Sequence, residues 1–369
     1  MTHPSMEVVP LEAESGSVHT CHRYITTMFD FKPAISLISL GRAWVHDIIP
    51  RLDAAAHHGL NGIEIFYEDL EYLAKAESKS DSPSTNDLLH AASSIRTLCD
   101  ERGLTIISLL PFFHYEGLKD REEHAKRIEK MKLWFKLAKI LGTDIIQIPA
   151  NFLPKEEITD DIDVVVKDLQ EVADMGAKEK PIIRFAYENL CWGTYFDVWE
   201  AGWDIVEKVD RTNFGVCLDT FHIGGRVYAD PSSSDGKTPN AEKDIEKSIK
   251  KLVDRMDVNK VFYIQVVDAE KMRNPLVEGH AFWVDGQPVR MSWGRNARLF
   301  AGEESGYLPV EAITKAIIDG LGYKGWVSME LFNRSMSEEG SQVPDEHARR
   351  AAAAWEVIKG WINSWDKAR

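Results

Sequence analysis

Residues Asn213–Gly224 read NFGVCLDTFHIG. Five mostly apolar residues, Phe214 to Leu218, run into Asp219, and His222 follows three positions later. An apolar run that stops at a carboxylate predicts a buried parallel strand whose C-terminal end opens into a site. Three other runs end the same way: IIRFAYEN delivers Glu188, VFYIQVVD delivers Gln265, and WVSMELF delivers Glu330. Four oxygen-bearing side chains at four strand ends, with a histidine nearby, are what a hard divalent cation needs.

Outward from this stretch the chain alternates. Strands are expected at Ala34–Leu40, Gly62–Phe66, Thr105–Leu110, Asp144–Ile148, Ile182–Glu188, Phe214–Asp219, Val261–Val267 and Trp326–Leu331. Between them, helices are expected at Trp44–His58, Asp87–Arg102, Arg121–Leu141, Asp160–Glu179, Phe196–Val209, Ala241–Arg255, Val310–Leu321 and Glu346–Trp365. Glycines at 59, 103 and 142 close the first three. The segment after the second strand, up to Asn86, contains SKSDSPST and reads as a solvated loop. Eight strand–helix units with no evident domain break favour an α/β fold of the closed (β/α)8 TIM-barrel type over a doubly wound open sheet. In such barrels the site lies at the C-terminal ends of the strands. Residues 1–30 are polar and expected as a tail or strap, with residues 31–369 forming a single barrel. A long insertion after the seventh strand, at about residues 268–308, carries Trp283 and Trp293, which can close the site or pack a small embedded fold. His19, Cys21 and His22 read as a chance cluster in the tail. Gly320, Gly322 and Gly325 spell GxGxxG, but a helix precedes them and a strand follows, the reverse of a dinucleotide fingerprint.

The net charge of −15 over 369 residues argues against a nucleic-acid or anionic-membrane surface, because phosphate binding needs a positive field. A small anionic substrate remains compatible, since a few local arginines suffice to bind it. The four cysteines, Cys21, Cys99, Cys191 and Cys217, are scattered without a CxxC pair and read as free thiols in a reducing compartment. No run approaches a membrane span and no secretory signal is evident, so a cytoplasmic location is expected. Oligomeric state is not specified by the sequence.

Three carboxylates converging at one barrel mouth raise each other's pKa unless a cation neutralises them. Glu188, Asp219 and Glu330 with the neutral Gln265 carry −3, which a divalent ion reduces to −1. All-oxygen ligation favours Mg²⁺ or Mn²⁺, with Co²⁺ possible, over structural Zn²⁺. Strand-end polar residues also cap helices or pair with arginines, and it is their recurrence at four consecutive strand ends that favours a metal. His222 suits proton transfer near neutrality; its alternative is a packed, hydrogen-bonded histidine. Glu64, in the second strand, and His114, beyond the third, are candidate substrate contacts, each with a structural alternative. Cys191 has no evident activating base and reads as structural.

The segments GLNGIEIFYEDL, PFFHYEGL, YEN, LDTFH, IQVVD and SMELF resemble the 3-dehydroshikimate dehydratases, most closely the fungal quinate-catabolic type. These belong to the xylose-isomerase-like, or sugar phosphate isomerase/epimerase, barrels. The resemblance covers nearly the whole chain from about Phe29. It implies a metal-dependent lyase that dehydrates 3-dehydroshikimate to protocatechuate through a metal-stabilised enolate. It also implies Glu188, Asp219, Gln265 and Glu330 as metal ligands and His222 as the proton-transfer residue. From WGRNARLF it implies Arg298, with Arg295 close by, as the holder of the substrate carboxylate. Relatives commonly have QPF where this chain has Leu110-Pro111-Phe112, and many have serine where it has Gly294; both positions face the site in relatives. A keto-sugar isomerase or epimerase needs the same metal chemistry and is the alternative. A catalytically impaired ligand-binding barrel is the second.

Overall fold

The computed structural model describes residues 31–367. The expected tail, with His19, Cys21 and His22, lies outside the described residues. Seven strands come first: β1 (Phe31–Ser36), β2 (Gly62–Phe66), β3 (Thr105–Leu110), β4 (Ile145–Pro149), β5 (Arg184–Glu188), β6 (Phe214–Asp219) and β7 (Val261–Gln265). A short antiparallel pair follows, β8 (Val267–Ala269) with β9 (Arg298–Phe300), and then β10 (Gly325–Met329). Strands β1–β7 and β10 close a parallel barrel in the order β1-β10-β7-β6-β5-β4-β3-β2. The helices are α1 (Ile48–His57), α2 (Tyr67–Ser78), α3 (Thr85–Glu101), α4 (Arg121–Leu141), α5 (Ile162–Gly176), α6 (Trp199–Val209), α7 (Thr220–Val227), α8 (Ala241–Arg255), α9 (Val289–Asn296), α10 (Val310–Lys315) and α11 (Val343–Lys367). Among the described residues, no helix is long and apolar enough to cross a membrane.

The closed barrel expected from the alternation is present, with local differences. The first strand ends at Ser36 and Leu37–Leu40 forms a 3-10 turn. The segment taken as a loop after β2 contains α2, whose Leu70 and Ala74, four residues apart, are both buried. The Ser/Pro run that suggested a loop begins only at Ser78, the last residue of that helix, which Lys79 ends at φ 55. His222, expected in a loop, sits in the first turn of α7. Gly322 takes φ 74 in the turn that leads into β10, consistent with its reading as a turn residue.

The barrel interior is layered. Ala34, Ile107, Ile145, Ala186, Cys217 and Tyr263, from six different strands, pack together as buried core. Strand side chains repeat with period two, so the next inward layer lies two residues on. In five of these strands that layer is polar: Ser36, Gln147, Glu188, Asp219 and Gln265, all buried. An apolar plug below and a polar layer above place the chemistry at the C-terminal mouth.

Candidate active site at the barrel mouth

A cavity of about 630 Å³ opens there, and Gln147, Glu188, His222, Arg295, Arg298 and Glu330 are among the residues lining it. Asp219 has a divided role. One oxygen, Oδ1, accepts from the backbone N–H of Phe221 at 2.7 Å and caps α7. The other, Oδ2, accepts from Arg298 Nη1 at 2.8 Å, and the same Nη1 donates to Glu330 Oε2 at 2.9 Å. Arg298 arrives from β9 in the long insertion. Its guanidinium carbon lies 4.3 Å from the centre of the Phe221 ring and 5.1 Å from that of Phe332, so it is fixed by rings as well as by charge.

The charge is unbalanced. Glu64, Glu188, Asp219 and Glu330 are all buried, and Arg298 is the buried cation among them. Burial is the largest cause of a raised pKa at each carboxylate. Glu330 is pushed up to about 8 despite Arg298, and Glu188 rises well above its ordinary value, with Glu330 and then Asp219 adding repulsion. Glu188 Oε1 has no hydrogen-bond partner. Glu188, Asp219 and His222 offer ligand atoms that all lie within 4.8 Å of one another. A buried orphan carboxylate oxygen beside a second carboxylate and an imidazole is a donor set that fits a divalent cation.

His222 receives two donors. The Cys191 backbone N–H donates to Nδ1 at 3.1 Å, and Arg298 Nη2 stands 3.1 Å from Nε2. Burial, and then the Arg298 charge, hold the ring's pKa well below its ordinary value, so the imidazole is neutral. A neutral imidazole has one lone pair, so only one of these contacts is a hydrogen bond at a time. The Nε2–H tautomer pairs with Cys191 and the Nδ1–H tautomer with Arg298. In either tautomer Nε2 lies 3.7 Å from Glu188 Oε1 and 3.6 Å from Asp219 Oδ2. The Cys191 thiol itself is buried and its pKa is pushed up to about 12, in keeping with a structural residue.

The other residues singled out from sequence fall in different places. Glu330 lies one residue past β10, and Gln265 ends β7 in register with Asp219. The Gln265 amide nitrogen donates to Glu64 at 3.1 and 3.2 Å, and its oxygen accepts from the Cys217 thiol at 3.5 Å. Glu64 also accepts from Ser108 and Ser328 and sits within the barrel rather than on the cavity wall. His114 has φ 59 and pairs through Nδ1 with Asn151 at 3.0 Å, behind Phe113 and Phe152, which do line the cavity. Arg295 is at the rim, where crowding of its head group and then the charge of Arg42 lower its pKa. Neither tryptophan considered for closing the site lines it. Trp293 is fully buried with its indole N–H on the Glu270 carbonyl, and Trp283 bonds Asp285. Trp192 lines the cavity instead, edge-on to His222 with ring centres 4.8 Å apart. Sequence reasoning missed Gln147, Arg42 and Trp192. Gln147 was discoverable from its place two residues after Ile145 on a strand whose interior face is otherwise apolar.

Residues 52–357 match the family model described as xylose isomerase-like TIM barrel. Over 331 residues the chain is 54% identical to the 3-dehydroshikimate dehydratase of Neurospora crassa, which covers 88% of this chain and 92% of that protein. The chain belongs to the xylose isomerase-like TIM barrel family. It is 28% identical to the 3-dehydroshikimate dehydratase of Pseudomonas aeruginosa over 77% of this chain, and spans about a third (36%) of that protein's length. Among solved structures, the IolI protein with a bound zinc atom superposes with a TM-score of 0.64 at 19% identity, covering 89% of this chain and 99% of that one.

Within this family the glycine at 294 has a local cause. A Cβ built there would meet Trp192 Cζ3 at 2.8 Å and two Phe221 ring carbons at 3.0 Å. The space that a serine would take is filled by the indole that covers His222. Gly294→Ser is expected to destabilise the protein by about 1–3 kcal/mol through overpacking and to displace Trp192. Chemical denaturation with tryptophan fluorescence measures both effects; unchanged stability and emission would show that the two side chains can coexist.

Proposed function

We propose that the chain is a 3-dehydroshikimate dehydratase that releases water and forms protocatechuate, with a divalent cation held at the barrel mouth. The observation that carries the activity is the 54% identity to the Neurospora crassa enzyme across 92% of that protein. The buried acidic cluster with its unpartnered Glu188 oxygen supports the metal, and the zinc atom in the IolI structure is compatible with it. Glu188, Asp219, Glu330 and Gln265 would hold the ion, with Mg²⁺ or Mn²⁺ favoured by oxygen donors and Co²⁺ possible. Bound there, the ion supplies Lewis acidity to a substrate oxygen.

The chain's own residues supply the rest. His222, as its Nδ1–H tautomer and with the Arg298 Nη2 donor turned away from Nε2, accepts a proton on Nε2 from the carbon next to the ketone. It returns that proton to the hydroxyl leaving the neighbouring carbon, which departs as water. Loss of a further ring proton and protonation of the ketone oxygen complete the aromatic ring. Arg298 steadies Asp219 and Glu330. Because its Nη1 is already shared by two carboxylates, the substrate carboxylate falls to Arg295, with Arg42 beside it. Two guanidiniums close enough to repel each other are a ready site for an anion. Trp192 and the phenylalanines of the wall limit water around the reacting ring.

The test is direct. Purified protein is incubated with 3-dehydroshikimate while the ultraviolet absorbance of a catechol acid is followed, with and without EDTA. The absorbance is expected to rise, stop on chelation and resume on adding Mg²⁺ or Mn²⁺. Absence of product under all three conditions would overturn the reading. Arg295→Ala is expected to raise KM by about 10- to 100-fold, the range of a lost charge-assisted contact, with kcat little changed. A KM within twofold of wild type would remove Arg295 from carboxylate binding.

A further inference from the structure

Gln147 lies on β4, which pairs with β5 so that Gln147 stands opposite Ala186 and Pro149 opposite Glu188. Its backbone is held: the Gln147 carbonyl accepts from the Phe112 N–H at 2.9 Å. The side chain is 1% exposed and lines the cavity, and its amide nitrogen has no hydrogen-bond partner. Ser36 Oγ and Glu188 Oε1 in this layer are also without partners, while the other polar groups around them are engaged with one another. Gln265 donates to Glu64, Ser328 and Ser108 donate to Glu64, and Asp219 and Glu330 accept from Arg298. A buried amide with an unmet donor lowers stability, and one that also lines a cavity is open to completion by a ligand.

We propose that Gln147 is a substrate-binding residue whose amide N–H donates to an uncharged ring oxygen of 3-dehydroshikimate, a hydroxyl or the ketone. The inference rests on the dehydratase reading above. The amide is neutral and deep, so it suits an uncharged oxygen, whereas the carboxylate is left to the arginines at the rim. It also gives the cavity a way to discriminate. A site that places a buried donor against a substrate oxygen rejects analogues lacking that oxygen far more strongly than an apolar wall does.

The experiment compares wild type with Gln147→Leu, measuring kcat/KM for 3-dehydroshikimate, bound metal per chain and Tm. Expected are a roughly 10- to 100-fold fall in kcat/KM, unchanged metal content, and a Tm equal to or above that of wild type. The last follows because an unpartnered buried polar group has been removed, an outcome that a structural role for Gln147 would not give. A kcat/KM within twofold of wild type overturns the proposal. So does an activity loss accompanied by a lower Tm or by lost metal, which would make Gln147 a packing residue or a ligand. Should Gln147→Leu fail to fold, Gln147→Met carries the same test with the same criteria. Wild-type protein without turnover would sink the dehydratase reading and this inference with it; an active wild type with an equally active variant sinks this inference alone.

Discussion

Glu188→Gln will lower kcat by about 10³- to 10⁴-fold, the value of several kcal/mol of lost charge stabilisation, and will leave the protein without stoichiometric divalent metal. Arg298 bonds neither Glu188 nor Glu64, and of these two only Glu64 is held by other donors, Gln265, Ser108 and Ser328. Glu188 Oε1 has no partner, and the Glu188 pKa is driven well above the ordinary value by burial and by repulsion from Glu330 and Asp219. Glutamine keeps the volume and removes the charge. The sign for stability is opposite to that for activity. A carboxyl whose folded pKa is raised contributes stability below its ordinary value of 4.5, and that contribution is lost as pH rises through the raised value. Above pH 4.5 the raised Glu188 carboxyl therefore weighs against folding in chelated protein, and Glu188→Gln is expected to melt no lower than chelated wild type. Metal analysis, turnover and thermal melts on one preparation separate the outcomes. Retained metal and turnover would remove Glu188 from the ligand set, and a collapsed Tm would point to a structural role.

His222→Ala is expected to lower kcat by about two to four orders of magnitude while leaving metal content at wild-type level. The ring is 1% exposed and held neutral, and two donors compete for its single lone pair. That competition links it to Arg298, whose Nη2 has to leave the Nε2 lone pair before the ring can take a proton there. Metal analysis distinguishes the proton-transfer role from ligation, since His222 also falls in the group with Glu188 and Asp219. Loss of metal with loss of activity would make His222 a ligand. Near-normal turnover would remove it from the chemistry.

Much of this arrangement was legible in the chain because parallel strands inside a barrel are apolar until they reach the mouth. The runs ending in Glu188, Asp219, Gln265 and Glu330 announced both the strands and their polar tips. Gln147 escaped because IIQIP does not stop at its glutamine; the run continues through Ile148, and only the strand register, which pairs Gln147 with the inward-facing Ala186, shows that it faces the barrel interior. Helix α2 escaped because its polar C-terminal end merges with a Ser/Pro loop, hiding the buried Leu70 and Ala74. The engagement of Arg298 by Asp219 and Glu330 could not be read at all. It joins residues 79 and 32 positions apart and depends on the path of the insertion after β8. The fit of Trp192 over Gly294 is likewise a tertiary match, and local composition carries no sign of it.

The most direct test of a shared cation at the barrel mouth is a crystal of the protein grown with Mn²⁺ and measured for anomalous scattering. One peak is predicted about 2 Å from oxygens of Glu188, Asp219, Glu330 and Gln265. Saturating Mn²⁺ with no peak among those four side chains would contradict a shared cation there.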